Sequence, residues 1–398
     1  MSTWKRNLLV CSIGTFFITI SLSQIAPVLP LYIKALGVRQ RADIAQLSGF
    51  SFGITFILSA LFSPIWGHAA DRVGQKPMLL RASLGMAAVV ACMGLATNVD
   101  VFIGLRLVQG AITGYNAACI ALIAAQTDKT RSGWALGILS AASSGGSLVG
   151  PLVGGIMTDC FGLRSVFFIT SFLILITFLL TLTFIEEPRQ SAPRQVHRFH
   201  LSLSHSLPER RLTAALLLTN LFLTIAIYAA EPIMTIYVGQ LNVNHAHIAL
   251  LSGLVFSVAG LAGMLAAPLL GKLSDRLGPH KILLAALTVS ALLTIQQAFV
   301  TNLWQLIILR ALCGFVGAGI APAISMLIQK ITPPNKMGGV FGLSLSAIYL
   351  GSFGGAAMGG QLAARFGIPS VFYCAGSLLI INACWMYIAV YRRITHVL

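Results

Sequence analysis

One signature occurs twice in this chain, half its length apart. The first copy runs Gly67-His68-Ala69-Ala70-Asp71-Arg72-Val73-Gly74 and on to Lys76; the second runs Gly271-Lys272-Leu273-Ser274-Asp275-Arg276-Leu277-Gly278 and on to Lys281. Each places a Gly, an Asp-Arg pair, a further Gly and a Lys between two long apolar segments. A polar turn repeated at that distance describes a duplicated membrane protein whose halves use the same turn. Duplication across a bilayer points to transport before it points to catalysis.

The apolar content makes the membrane unavoidable. Of 398 residues 57% are apolar and only 9% charged, with a mean hydropathy of +0.88, too little polar surface to cover a soluble globule. A helix needs roughly 20 apolar residues to cross the hydrocarbon. Twelve such stretches stand at about 8–34, 45–66, 77–97, 100–126, 132–158, 164–185, 212–238, 247–270, 280–300, 303–329, 338–363 and 368–391.

The formal net charge of +16 suggests nucleic acid only until the basic residues are placed. Lys5, Arg6, Arg72, Lys76, Arg81, Lys129, Arg131, the basic residues of 186–211, Lys272, Arg276, Lys281, Lys330, Lys336, Arg392 and Arg393 fall on one side of the twelve crossings. Lys34, Arg39, Arg41, Arg164 and Arg365 fall on the other. The richer side is expected to be cytoplasmic, with both termini inside a bacterial inner membrane, lipid as a partner and nucleic acid excluded. The first apolar run is too long for a signal peptide and lacks a small-residue cleavage site. Seven scattered cysteines, mostly within apolar segments, read as packing residues rather than a disulfide framework.

Residues 186–211 form the only long polar segment, rich in Pro, Ser, Arg and His. They divide the chain into an N-terminal six-helix bundle (1–185), a cytoplasmic linker and a C-terminal six-helix bundle (212–398). His197, His200 and His205 lack carboxylates or cysteines at ligand spacing, so the linker reads as solvated and no metal is expected. An offset near 204 aligns the halves further: Arg106 meets Arg310, Gly110 meets Gly314, Gly154-Gly155 meets Gly359-Gly360, and Ser165-Val166-Phe167 meets Ser370-Val371-Phe372. Pro27 and Tyr32 likewise meet Pro232 and Tyr237.

Three motifs carry a resemblance: Gly67 to Lys76 with its second copy; Phe102-Ile103-Gly104-Leu105-Arg106-Leu107-Val108-Gln109-Gly110; and Gly146-x-x-x-Gly150-Pro151-x-x-Gly154-Gly155. With them the whole chain resembles the major facilitator superfamily, specifically its twelve-helix drug:proton antiporter branch. The resemblance implies an all-α integral membrane fold, twelve transmembrane helices in two pseudo-symmetric six-helix bundles, acting as a monomer without a cofactor. It implies that Asp71, Arg72 and Lys76 latch against helix eleven, with Gly67 and Gly74 allowing the turn, and that Gly271, Asp275, Arg276, Gly278 and Lys281 form the second copy. It assigns Arg106 to proton coupling. An intramembrane guanidinium costs about 2.5–3.5 kcal/mol on insertion scales, so it faces protein or a wet cavity, unless it snorkels from a helix end. Glycines at four-residue spacing expose a smooth packing face, and Pro151 removes one backbone bond.

Nine of the ten acidic residues sit at loops or helix ends; Glu231, in Tyr228-Ala229-Ala230-Glu231-Pro232, lies inside an apolar segment where ionisation is costly. It is the candidate proton-coupling group, against the reading of a solvated residue near the outer surface. The family likeness makes helices one, four, seven and ten the cavity wall, with Gln24, Tyr32, Arg106, Gln109, Tyr115, Asn116, Asn220, Tyr228 and Glu231 as its polar and aromatic members. Arg310 stands in the same wall. These features suit proton-coupled efflux of drugs or other amphiphilic small molecules by alternating access. The alternative is a dedicated carrier of one polar or anionic metabolite such as a siderophore, since Arg106 and Arg310 outnumber the single intramembrane acid. A membrane enzyme is disfavoured: no nucleophile elbow, HExxH or paired CxxC occurs.

Overall fold

The computed structural model of the chain describes residues 3–187, 210–242, 247–333 and 336–391. His197, His200, His205, His245, Arg392 and Arg393 lie outside the described residues. Among the described residues twelve helices are long and apolar enough to cross a membrane. They are α1 (Thr3–Ser23, continued by a shorter helix at Ile25–Ala35), α2 (Arg41–Val73), α3 (Gln75–Gly94), α4 (Val99–Gln126), α5 (Arg131–Phe161) and α6 (Leu163–Phe184). Then come α7 (Arg211–Leu241), α8 (Ile248–Leu277), α9 (Pro279–Phe299), α10 (Leu303–Ile331), α11 (Gly339–Phe366) and α12 (Ile368–Tyr391). Each apolar run becomes a helix because hydrocarbon offers no partner to a backbone amide, so every span must satisfy its own.

The repeated signature proves to be helix, where the sequence suggested a turn. α2 carries Gly67 to Arg72 in its last turns and α8 carries Gly271 to Arg276. The break comes only at Gly74 (φ 96°) and Gly278 (φ 95°), left-handed backbone that glycine alone adopts cheaply. Ala69-Ala70 and Leu273-Ser274 offer no earlier stop, so each connection shrinks to one residue. Gly162 (φ 85°) joins α5 to α6 and Gly367 (φ 83°) joins α11 to α12 in the same way.

The chain packs as two compact units. One comprises Met1–Arg39, Ile54–His197 and His247–Ser257; the other comprises Gln40–Gly53, Arg198–Ala246 and Val258–Leu398. In the first, α1 packs on α5 and α3 on α6; in the second, α7 packs on α11 and α9 on α12. Apolar burial does not drive helices together in lipid, so close backbone approach must. Gly146, Gly150 and Gly154 face Phe16, Ile20 and Gln24 of α1, while Gly351, Gly355 and Gly359 face the carbonyls of Leu221, Ile225 and Ala229 of α7. A second pair of contacts fixes the register: the Tyr32 hydroxyl donates to the Met93 carbonyl at 2.5 Å, and the Tyr237 hydroxyl to the Gln297 carbonyl at 2.7 Å.

Candidate functional site

Four of the twelve spans are interrupted, at every third position. α1 breaks at Gln24; α4 breaks between Val99–Ile112 and Tyr115–Gln126; α7 passes through a 3-10 turn at Glu231–Ile233; α10 breaks between Leu303–Gly317 and Ile320–Ile331. The local causes are legible. Pro27 and Pro232 lack the amides that would bond to the Ser23 and Tyr228 carbonyls, Gly114 has a φ of 143°, and Gly317 and Gly319 flank the break in α10. Non-helical backbone at membrane depth persists only where protein or a cavity takes up the freed groups. These are the spans expected to carry the chemistry.

In the first unit Arg106 is 3% exposed, so it is buried in protein and does not snorkel. Its Nη1 donates to Gln109 Oε1 at 2.6 Å, and Gln109 is itself fully buried. Three of the other expected cavity residues here, Gln24, Tyr115 and Tyr32, are engaged within the unit. Gln24 donates through Nε2 to the Thr170 hydroxyl of α6, and Tyr115 shares a 3.1 Å hydrogen bond with Thr181. Tyr32 packs between the rings of Phe102 and Phe167 at 5.1 and 4.6 Å, a core position. The Asn116 Oδ1 atom has no hydrogen-bond partner among the described residues. Arg81, read from the sequence only as a charge on the basic side, lies 3.5 Å over the Trp66 ring; Trp66 in turn donates to the Ala111 carbonyl at 2.6 Å, next to the break in α4.

In the second unit Glu231 opens the 3-10 turn of α7 and is neither fully buried nor exposed. The Arg310 guanidinium of α10 is close enough to act on its charge, as Glu231 acts on Tyr228. Tyr228 also hydrogen-bonds Ser352 of α11 and packs 6.2 Å from the ring of Phe52. Asn220 donates to the Ser344 hydroxyl at 2.8 Å. Sequence reasoning assigned both Glu231 and Arg106 to proton coupling; the two belong to different units. It also missed Phe52 and Ser352, which look like ordinary residues of an apolar span.

The glycine motif of α5 serves two neighbours. Gly146, Gly150 and Gly154 face α1, while Gly155 meets the backbone of Ala249 and Leu250, and Gly253 meets the Pro151 carbonyl. Further along, the Ser257 hydroxyl donates to the Leu148 carbonyl at 2.7 Å and His247 Nδ1 lies 3.1 Å from Asp159 Oδ2. Rising numbers on one helix against falling numbers on the other describe an antiparallel seam inside the first unit. The second unit has its counterpart, where Gly49 and Gly53 of α2 meet Phe353, Ala356 and Gly360 of α11.

At the signature, Asp71, Arg72, Asp275, Arg276 and Lys281 are exposed. The group that meets the start of α3 is Glu187, whose carboxylate accepts from the Gln75 and Lys76 amides at 2.9 and 2.7 Å. Lys76 Nζ donates to the Leu182 carbonyl at 3.1 Å. A carboxylate on the exposed amides of a helix N-terminus satisfies two orphan donors and opposes the positive end of the dipole. Glu186 beside it is tied by Asn7, whose Nδ2 donates to the Glu186 carbonyl at 2.7 Å and whose Oδ1 accepts from the Glu186 amide at 3.2 Å. The second copy solves the same problem differently. Pro279 begins α9 without an amide to satisfy, and Tyr391 packs on His280 with ring centres 5.3 Å apart.

Two units of one design, with broken spans that carry buried charge, have the build of a membrane transporter. The chain belongs to the Major Facilitator Superfamily, whose profile matches residues 11–296 and 250–396. It is 41% identical over 390 residues to the Multidrug resistance protein MdtG of Salmonella arizonae, covering 98% of this chain and 96% of the relative. With the protein of the same description from Enterobacter lignolyticus it shares 41% identity over 389 residues, 98% of this chain and 93% of the relative. Among solved structures, a bacterial homologue of the human lysosomal transporter Spinster superposes with a TM-score of 0.79 at 15% identity, over 96% of each chain. The nucleoside transporter NupG superposes with a TM-score of 0.77 at 13% identity, over 98% of this chain and all of that one. Both share the fold.

Proposed function

We propose that this protein exports amphiphilic small molecules, drugs among them, across the bacterial inner membrane in exchange for protons. The likeness to MdtG supports the cargo class. The observation that carries the coupling is Glu231, an acid placed where α7 breaks, beside Arg310 and Tyr228. A cargo that displaces the proton from this carboxyl binds when the proton leaves and leaves when the proton binds, the mutual exclusion that antiport requires. Alternating access by two rocking bundles, 1–185 and 212–398, delivers the site to each face in turn. Asp71, Arg72 and Lys76 latch one state, both termini face the cytoplasm, Arg106 assists coupling, and the monomer suffices.

The driving force is adequate: each pH unit is worth about 1.36 kcal/mol per proton and each 100 mV about 2.3 kcal/mol per charge. Inverted vesicles carrying the protein are expected to accumulate a cationic dye about tenfold further for each added pH unit per proton exchanged. Glu231→Gln is expected to bind the dye and lose the response to the gradient. A Glu231→Gln protein with an unchanged gradient response refutes the assignment of the coupling group. Uptake of an anionic chelator in place of the dye refutes the cargo class.

A further inference from the structure

Inside the second unit a cavity of about 180 Å³ opens between α7, α9, α10 and α12. Its α9 wall is Ser290, Thr294 and Gln297, a spacing of four and three that puts all three on one helical face. The remaining walls bring Arg310 and Cys313 from α10, and Phe372 and Leu379 from α12. Gln297 is 1% exposed and Ser290 8% exposed, yet Gln297 Oε1 and the Ser290 hydroxyl have no hydrogen-bond partner among the described residues. Buried polar atoms are ordinarily satisfied, so two on one cavity wall point to something that satisfies them.

The other half shows that the fold does not need this cavity. The tyrosine bonds to Met93 and Gln297 set α3 and α9 in the same register, which pairs Ser290 with Met86, Thr294 with Val90 and Gln297 with Met93. Met86, Val90 and Met93 are all buried at 2% exposure or less, an apolar stripe. Ser290 for Met86 opens volume, as does Cys313 for Gln109 beside the arginine; Thr294 and Gln297 keep the volume and add polarity. Polar side chains in a membrane span are costly, and where they face an interior space they mark what occupies it.

We propose that this cavity is a binding site for a small one-ring aromatic acid that also carries a hydroxyl or amine. The carboxylate meets the planar donors of Arg310, the hydroxyl or amine donates to Gln297 Oε1, and the ring lies against Phe372 and Leu379. An engineered cavity of about 150 Å³ accepts benzene, so a single ring matches the volume. The site shares Arg310 with the proposed coupling group Glu231, but its test reads binding and needs no gradient.

The probe is radiolabelled 4-hydroxybenzoate, measured by equilibrium dialysis against the full chain in nanodiscs of uncharged lipid. Wild type is expected to bind one molecule saturably. Ser290→Met, which restores the residue of the other half and fills the space, is expected to weaken binding at least tenfold, while Ser290→Ala, which keeps the space, changes it less than about threefold. Gln297→Met, which keeps volume and removes the acceptor, is expected to weaken it by about tenfold. No saturable binding to monodisperse wild type overturns the proposal and leaves the cavity to water. Equal binding by Ser290→Met and wild type overturns it as well, since the acid then sits elsewhere.

Discussion

The same substitution at two glycines of α5 is expected to have opposite effects. At Gly146 an added methyl stands 2.6 Å from the Phe16 carbonyl oxygen and 2.9 Å from Thr19 Cβ. The oxygen belongs to backbone and cannot swing aside, so α1 and α5 must part by roughly 1 Å to regain ordinary contact distances of about 3.5 Å. Such overpacking costs about 1–3 kcal/mol, and the parting also strains the 3.2 Å hydrogen bond from the Ser23 hydroxyl to the Gly146 carbonyl. At Gly137 nothing lies within 4 Å of the same methyl, and the exchange gains helix propensity of about 0.5–1 kcal/mol. The propensity gain is common to both exchanges, so Gly146→Ala and Gly137→Ala separate by the overpacking cost, about 1–3 kcal/mol, with Gly137→Ala stabilising and Gly146→Ala destabilising. Thermal unfolding of the purified proteins in one detergent, followed by loss of the monodisperse species, reads this at about 2–4 °C for each kcal/mol. Two variants moving in the same direction refute the reasoning, because helix propensity alone predicts that both stabilise.

Glu187→Ala leaves the Gln75 and Lys76 amides without their carboxylate and is expected to cost about 1–2 kcal/mol, seen as a lower melting temperature in the same assay; an unchanged value removes Glu187 as the cap. Tyr32→Phe takes one donor from the Met93 carbonyl, which keeps the Ala96 amide at 3.2 Å, so the expected loss is only about 1 kcal/mol. A loss several times larger means that the ring packing against Phe102 and Phe167, and not the hydroxyl, was misjudged.

The twelve spans were readable because a membrane helix must be apolar along its whole length, and a run such as 164–185 admits no other use. Their ends were not. Asp71 and Arg72 look like loop residues by charge, but charge is tolerated in a helix that has left the hydrocarbon, and only Gly74 carries the backbone conformation that stops it. Glu187 escaped notice for the same reason: it follows α6 as the first polar residues of a linker do, and its target at Gln75 is remote in sequence. The seam residues Gly155 and Gly253 were visible as small residues, but which neighbour each would face depends on the rotation of α5 and α8, which a twofold-repeated glycine pattern leaves open. Glu231 was found by being the one acid inside an apolar run. Its neighbour Arg310 was found only as the copy of Arg106, because a pairing between two spans leaves no periodic trace in either.

The duplication separates what folding requires from what chemistry requires. Contacts made in both halves, such as tyrosine to carbonyl, glycine against backbone and single-glycine joints, are sufficient to hold six helices together, since each unit uses them. The departures have a different character. Glu231 stands where the other half has Ala26, Ser290 where it has Met86, Gln297 where it has Met93, and Cys313 where it has Gln109. Three of the four exchange an apolar side chain for a polar one inside a membrane span, a change that costs stability unless a partner repays it. All four lie on α7, α9 and α10 of one unit, around or near Arg310. If packing alone governed these positions the apolar residues of the first half would serve equally well, so these departures are the residues on which the proposed coupling group and the proposed cavity ligand rest.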